Sequence, residues 1–303
     1  MSVMESSNGS ALLAARAPKS PWRHSLDLFA RSLFANKVAV AALVVVAVAT
    51  VYAVAGSQLT TADPELPSAD RLEGPSAEHP FGTDNLGRDL YSRAAASARV
   101  SMAVAALATV IAILIGVPIG LAAGYAGGAL ELILMRFVDA LYAIPSIVLA
   151  LAMLVILGNG VVNIGIAISL IYVPIFARLV RGESLLVRNL DYVAAARSMG
   201  APPLRIVLKH VWPNVRSPII VQASLVLGFS ILIEASLSYL GFGVDPSVPT
   251  WGRMTRGGYS YLSVSPWVAL VPGVIIFVVV LSFNLLGDAL RDALDPRSHR
   301  RLH

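Results

Sequence analysis

Six stretches of this chain are long and apolar enough to cross a bilayer, and nothing else in the sequence constrains the fold as much. They lie at Val38–Val54, Val100–Ala123, Leu132–Leu157, Val161–Leu179, Pro218–Leu240 and Pro266–Leu286. A spanning helix needs about 20 mainly apolar residues, and it must satisfy its own backbone because hydrocarbon offers no hydrogen bonds. Composition agrees: of 303 residues, 56% are hydrophobic and 14% charged, whereas a soluble domain carries about 25% charged residues to face water. The expected fold is therefore all-α, a polytopic membrane protein of six transmembrane helices. Ser217-Pro218 and Ser265-Pro266 read as helix starts, each a capping hydroxyl followed by proline at the first helical position. Pro118, Pro145, Pro174 and Pro272 fall inside spans and interrupt them. Ala53-Val54-Ala55 has the small-residue pattern of a signal-peptidase site. Yet 37 residues precede the first run, and the run exceeds the about 7–15 residues of a signal core, so it is read as an uncleaved anchor helix.

Orientation follows from the distribution of Lys and Arg. Seventeen of the 23 lie before the first run, near Arg136, in Arg178–Arg216 or after the last run; Arg71, Arg88, Arg93, Arg99, Arg253 and Arg256 lie in the alternate segments. Both termini and the Arg178–Arg216 segment are thus expected in the cytoplasm. The resulting organisation is an N-terminal tail over 1–37 (its first 15 residues expected to be disordered), a first span over 38–57, an external loop over 58–98, a transmembrane core over 99–287 containing the loop 178–216, and a C-terminal tail over 288–303. Pro64, Pro67, Pro75 and Pro80 suggest that the external loop runs extended. From Thr83, a possible cap, Leu86, Leu90 and Ala94 repeat every fourth residue, which suggests an amphipathic helix on the outer interface.

Several chemistries find no support. There is no G-x-x-x-x-G-K-S/T and no Gly-Lys dipeptide at all, so no phosphate-binding loop for ATP. There is no H-E-x-x-H or G-x-S-x-G, His24, His79, His210, His299 and His303 are scattered, and cysteine is absent. The formal net charge of +5 comes from residues flanking apolar runs without interleaved aromatics, which argues for a membrane surface and against nucleic acid. An intramembrane enzyme would need a nucleophile–base pair or metal set that is not evident. A stand-alone secondary transporter or channel would need coupling acids near mid-membrane or inverted repeats, and neither is clear. Ionisable residues within spans usually face a pathway or a partner. Arg136 and Asp139, at i and i+3, read first as a local ion pair, and Glu234 as a group either packing against a partner or meeting substrate.

The segment Arg178–Arg216 is the most informative polar stretch. Asn189 can cap a helix whose early Asp191 suits the positive end of the dipole. Tyr192, Ala195, Ala196 and Met199 then fall on one face, and Gly200 supplies a left-handed C′ residue. Ala201-Pro202-Pro203 restarts a second short helix with Leu204, Val207, Leu208 and Val211 apolar, ending before Pro213. The pattern alone is equally that of an amphipathic loop resting on headgroups.

The stretch DYVAAARSMGAPPLRIVLKHVWPN resembles the E-A-A-x-x-x-G loop of bacterial ABC importer permeases, fitting its spacing with Ala194-Ala195-Ala196, three residues, Gly200 and then Pro213. It departs at Ala194, where the motif has Glu, and at His210 and Trp212, where it has Ile and Leu; Asp191, one turn earlier, stands as the acid. HPFGTDNLGRDLYSR at His79–Arg93, EASLSYLGFGVDPSVPTWG at Glu234–Gly252 and NLLGDALRDALDPR at Asn284–Arg297 are similar to the dipeptide/oligopeptide/nickel class, specifically the second permease of each pair. The resemblance implies a type I importer permease in the bacterial cytoplasmic membrane, with Asp191, Tyr192, Ala194, Ala195, Ala196, Arg197, Gly200 and Pro213 forming a coupling loop that docks on an ATPase. It further implies a second homologous permease, two ATP-binding subunits that hold the ATP and Mg, an external substrate-binding protein, no cofactor in this chain, and peptides as the commonest cargo, with nickel, opines and glutathione carried by relatives.

Overall fold

The computed structural model describes residues 34–294 apart from 61 and 246. The tails before and after them, including Arg16, Lys19, Arg23, Arg31, Arg297, Arg300 and Arg301, lie outside the described residues. The described chain is helical, its single β feature being an isolated bridge between Thr83 and Asp89. Helix α1 spans Lys37–Leu59, α2 Leu90–Ala126, α3 Gly128–Tyr142, α4 Ser146–Leu157, α5 Val161–Arg188, α6 Asp191–Ser198, α7 Pro203–Ile206, α8 Trp212–Leu240, α9 Trp251–Tyr259 and α10 Trp267–Leu294. Five stretches are long and apolar enough to cross a membrane, and α3 with α4 makes a sixth that is bent by 91°.

Proline explains why one span breaks and the others do not. Pro118, Pro174, Pro218 and Pro272 sit inside continuous helices. Pro145 sits between α3 and α4 with φ −54° and ψ 130°. It offers no N–H to the ladder and biases Ile144 away from the helical region. The expected span Leu132–Leu157, with its expected interruption at Pro145, is therefore two helices meeting at a corner.

Helices α2 and α5 make the closest long contact in the bundle. Lipid tails are as apolar as leucine, so helices in a membrane associate through close packing more than through water exclusion. Gly116, Gly120 and Gly124 recur every fourth residue on α2. A β-carbon at Gly116 would lie 2.7 Å from the Val173 carbonyl oxygen; at Gly120, 2.6 Å from that of Ala177; at Gly124, 2.7 Å from that of Arg181. Ala108 and Ala112 continue the same row toward the start of the helix, fully buried. Helix α1 uses the same device more lightly: Ala42 and Ala49 are buried, and a β-carbon at Gly56 would lie 2.7 Å from the Ala95 carbonyl.

The segment between α1 and α2 differs from its expectation. It is a folded polar loop, and no separate amphipathic helix forms in it. Asp84 accepts the backbone N–H groups of Leu86 (2.8 Å) and Arg88 (3.0 Å) and the Arg88 side chain (2.7 Å). Arg93 donates to Glu65 (2.8 Å) and to the Pro64 carbonyl (3.0 Å). Thr83 does not cap a helix. Its hydroxyl donates to the Asp70 carbonyl and accepts from the Glu73 N–H, at 2.5 and 3.0 Å. The cap is Asp89, which accepts from Ser92 N–H at 2.8 Å, and from there a single helix continues for 37 residues. Leu90 and Ala94 consequently pack inward against Met254 and Val268. Trp251 closes this end of the bundle, its indole donating to the Ala94 carbonyl at 3.0 Å.

Two other expected starts move. Helix α8 begins before Ser217-Pro218, and α10 begins at Trp267 with the Ser265 hydroxyl buried and unpartnered. Continuity with the preceding turn, which already satisfies the backbone, makes a new cap at Ser217 unnecessary.

If the α2–α5 seam holds the bundle, Gly120→Val should lower the unfolding free energy measured in detergent by roughly 2 kcal/mol or more, the scale of overpacking. Gly182→Ala, on the partner helix α5 but with open space at its β-carbon, should be neutral or slightly stabilising. Equal loss in both variants would mean that the seam is not special.

Candidate functional site

The described chain from Asp191 to Trp212 forms a platform at the end of the bundle opposite Trp251. Helix α6 follows α5 after a two-residue turn. Asn189 is the C-cap of α5, and Leu190 precedes α6 without a side-chain cap, which corrects the expected capping by Asn189. Asp191 stands in the first turn of α6, where its charge suits the helix dipole. Gly200 has φ +78°. Its N–H donates to the Arg197 carbonyl and that of Ala201 to Ala196, at 3.0 and 3.1 Å. This is the double hydrogen bond of a Schellman stop, which requires the left-handed residue.

The two faces of α6 separate cleanly. Val193 and Ala196 are buried, whereas Asp191, Tyr192, Ala194, Ala195, Arg197 and Met199 are exposed. Ala196 therefore does not share the outward face with Tyr192, Ala195 and Met199: with Val193 it turns toward the core. The connection to α8 corrects a second expectation. No helix ends before Pro213; α7 passes through a π-turn at Val207–Val211 directly into α8, with Pro213 in its first turn. The buried residues explain the turn. Ile206, Val211, Val215 and Ile219 all face inward, at steps of five, four and four, and only a widened turn keeps a five-residue step on one face. The same turn sends Leu204 and Leu208 outward, 69% and 58% exposed, beside Met199 at 81%.

Contacts from two spans hold this platform. Asn214 donates to the Tyr192 hydroxyl (3.2 Å) and to the His210 carbonyl (2.6 Å), and the Tyr192 and His210 rings lie 5.8 Å apart. On the other side, Arg197 lies over the Tyr125 ring, 5.7 Å from its centroid, and Arg188 donates to the Tyr125 carbonyl at 3.0 Å. The last turn of α2 and the first of α8 are thereby joined to α6. The exposed Met199, Leu204 and Leu208 were missed as a surface, although the Ile206-to-Val211 step was the signal available.

The intramembrane ionisable residues resolve differently from one another. Asp139 pairs with Arg178 on α5 at 2.8 Å, not with Arg136, because the next helix presents its guanidinium over Tyr142, 4.1 Å from the ring centroid. Arg136 is exposed. Glu131 makes a parallel bridge to Arg181, 2.6 Å from its Nε. Glu234 is 1% exposed and accepts from Ser101 (2.8 Å) and Ser238 (2.7 Å). It ties α2 to α8 and faces no open space in this conformation. Beyond the spans, Asp245 is held below the usual carboxylate range because the Ser247 hydroxyl and N–H donate to it, with Arg253 adding a smaller attraction. Among the described residues no three His, Asp or Glu gather as a metal site.

The architecture is that of a polytopic helical membrane protein with an ordered platform at one end of its bundle. The chain belongs to the family of binding-protein-dependent transport system inner membrane components, whose model matches residues 116–300. It is 41% identical over 279 residues to the dipeptide transport system permease protein DppC of Alkalihalophilus pseudofirmus, covering 92% of this chain and 90% of the relative. It is 42% identical over 284 residues to the glutathione transport system permease protein GsiD of Pectobacterium atrosepticum, covering 93% of each. The fold is similar to that of an inward-facing MetNI methionine ABC transporter structure, with a TM-score of 0.52 and 23% identity over 65% of this chain and 94% of that one. The chain is thus a multi-pass inner-membrane permease subunit of an ATP-driven importer, a translocation component and not an enzyme. Membership implies that it works with ATPase and substrate-binding components.

The inward placement of Ala196 has a direct test. Ala196→Glu should cost at least about 2 kcal/mol of stability, since it buries a carboxylate without a partner. Ala195→Glu, on the exposed face, should fold with yield and melting temperature close to wild type. Comparable losses in both would contradict the two-faced reading of α6.

Proposed function

We propose that the chain forms half of the transmembrane route for small peptides, di- or oligopeptides including glutathione. It pairs with a second, different permease, is driven by two ATP-binding subunits, and receives cargo from an external binding protein. The observation that carries the cargo assignment is the likeness, over more than nine-tenths of the chain, to permeases named for dipeptide and for glutathione transport. Those two cargoes share peptide chemistry.

In this reading the platform Asp191–Trp212 is the coupling element. ATP-driven closure of the ATPase pair pushes on α6, and the contacts of Arg188, Arg197 and Tyr192 carry the displacement into α2 and α8. Gly200→Val should strain the Schellman stop by about 1 kcal/mol or more and re-aim both short helices, while Ala195→Glu places a charge in the docking face. Both variants should insert and pair with the second permease, yet lose substrate-stimulated ATP hydrolysis and retain less ATPase on co-purification. Substrate capture by the binding protein should be unchanged. Normal stimulated turnover in both would remove the coupling role from this platform.

The proposed orientation puts the platform in the cytoplasm and the loop before α2 outside, following the basic residues. Because wild type has no cysteine, the exposed Ala77→Cys and Ser198→Cys variants can be labelled without background. An impermeant maleimide should modify Ala77→Cys in intact cells and Ser198→Cys only after permeabilisation. The reverse pattern would invert the topology.

A further inference from the structure

We propose that the groove between α1 and α2 holds one anionic phospholipid, its phosphate at Arg99 and an acyl chain running toward Phe283. The open groove encloses about 830 Å³ and is amphipathic along its length. Gln58 and Arg99 stand at the rim, and Val46, Leu227 and Phe283 form the deep end. Depth follows from the antiparallel contact of Gly56 with Ala95. Arg99, one turn below Ala95, is level with Tyr52, roughly 10 Å from the end of α1 at 1.5 Å per residue. That is the zone in which a long basic side chain reaches from apolar walls toward headgroups.

Arg99 is exposed, and among the described residues no carboxylate or carbonyl bonds to it. Every other arginine from 88 to 93 is paired: Arg88 with Asp84 and Glu65, and Arg93 with Glu65 and Asp84. The neighbouring Thr50 hydroxyl is spent on the Val46 carbonyl at 2.7 Å, which leaves the guanidinium and the Gln58 amide as the rim's donors. A cation above an apolar trough open to the bilayer complements a lipid phosphate above its chain. A peptide carboxylate would satisfy Arg99 as well but would leave the deep apolar end without a matching group.

The test uses the chain purified with its partner subunits, delipidated, and then supplied with phosphatidylglycerol or phosphatidylcholine of the same acyl chains. Native mass spectrometry counts the lipid retained. Wild type should hold phosphatidylglycerol about fivefold more than phosphatidylcholine, the factor one basic side chain supplies at an anionic surface. Arg99→Gln should abolish that preference, Arg99→Lys should keep it, and Ala103→Trp, which fills the groove, should lower retention of both lipids. Equal retention of the two lipids by wild type overturns the proposal without any variant. Displacement of phosphatidylglycerol by excess dipeptide, with Arg99→Gln raising the transport KM for a free-carboxylate dipeptide but not for its amide, also overturns it and assigns the groove to cargo.

Discussion

The approach of α2 to α5 along Gly116, Gly120 and Gly124 is the contact on which the remaining architecture depends. The β-carbon positions on α2 would meet carbonyl oxygens of α5 and the Cβ atoms of Phe176, Val180 and Ser184, so the two helices pack backbone to backbone. In a medium that gives no hydrophobic drive for association, stability comes from many short dispersion contacts and therefore from shape. This contact also fixes the ends. It brings Arg188 onto the last carbonyls of α2, from which α6 starts, and it aims Arg178 and Arg181 at the acids of α3. Loss of the seam would separate both the platform and the bent pair from their support.

The number and rough position of the spans were legible because hydrocarbon permits few alternatives: a long apolar run must be a helix, and its length is dictated by the bilayer. Proline was harder to read. Pro118 and Pro174 look no different in sequence from Pro145, yet they stay within helices packed closely on each other, whose neighbours hold the geometry. Pro145 lies in a stretch where α3 and α4 are largely exposed, and nothing opposes the break. The row Gly116, Gly120, Gly124 was visible as a four-residue spacing of small residues, a feature whose meaning appears only once α5 is placed against it. Thr83 and Asp89 are both cap-forming residue types, with Asp the stronger. The choice went to Asp89 because Thr83 is committed to the carbonyl of Asp70 and the N–H of Glu73.

At the platform, the stop at Gly200 was readable locally, since a glycine after an alanine-rich helix and before Ala-Pro-Pro leaves few other conformations. The faces were not. A 3.6-residue repeat groups Leu204, Val207, Leu208 and Val211, but the core selects Ile206 and Val211, and the backbone widens to a π-turn to deliver both. Proline at 213 then falls in the first turn of α8, where a missing N–H does little harm. Tertiary burial decided a question that periodicity alone had answered differently, and in doing so it exposed Leu204 and Leu208.

The polar groups divide into those that lock and those that leave freedom. Glu234 is enclosed by Ser101 and Ser238, so α2 and α8 are cross-tied within the membrane as well as at the platform through Arg197, Tyr192 and Asn214. In the proposed coupling role, a displacement of α6 would be absorbed at Gly200 only if both Schellman hydrogen bonds and the ring contacts broke together. Under that proposal it would pass to α2 and α8 as a pair, with α5 following through the glycine seam. Helices α3 and α4 meet this unit less extensively, with fewer buried residues than α2 or α5. Half-exposed ion pairs hold α3, each worth at most about 1 kcal/mol, whereas α4 is held by Ala150 and Leu154, which are buried in the main core. The described contacts thus make α2, α5, α6 and α8 one closely packed group, to which α4 is joined through Ala150 and Leu154 and from which α3 and α4 bend at Pro145.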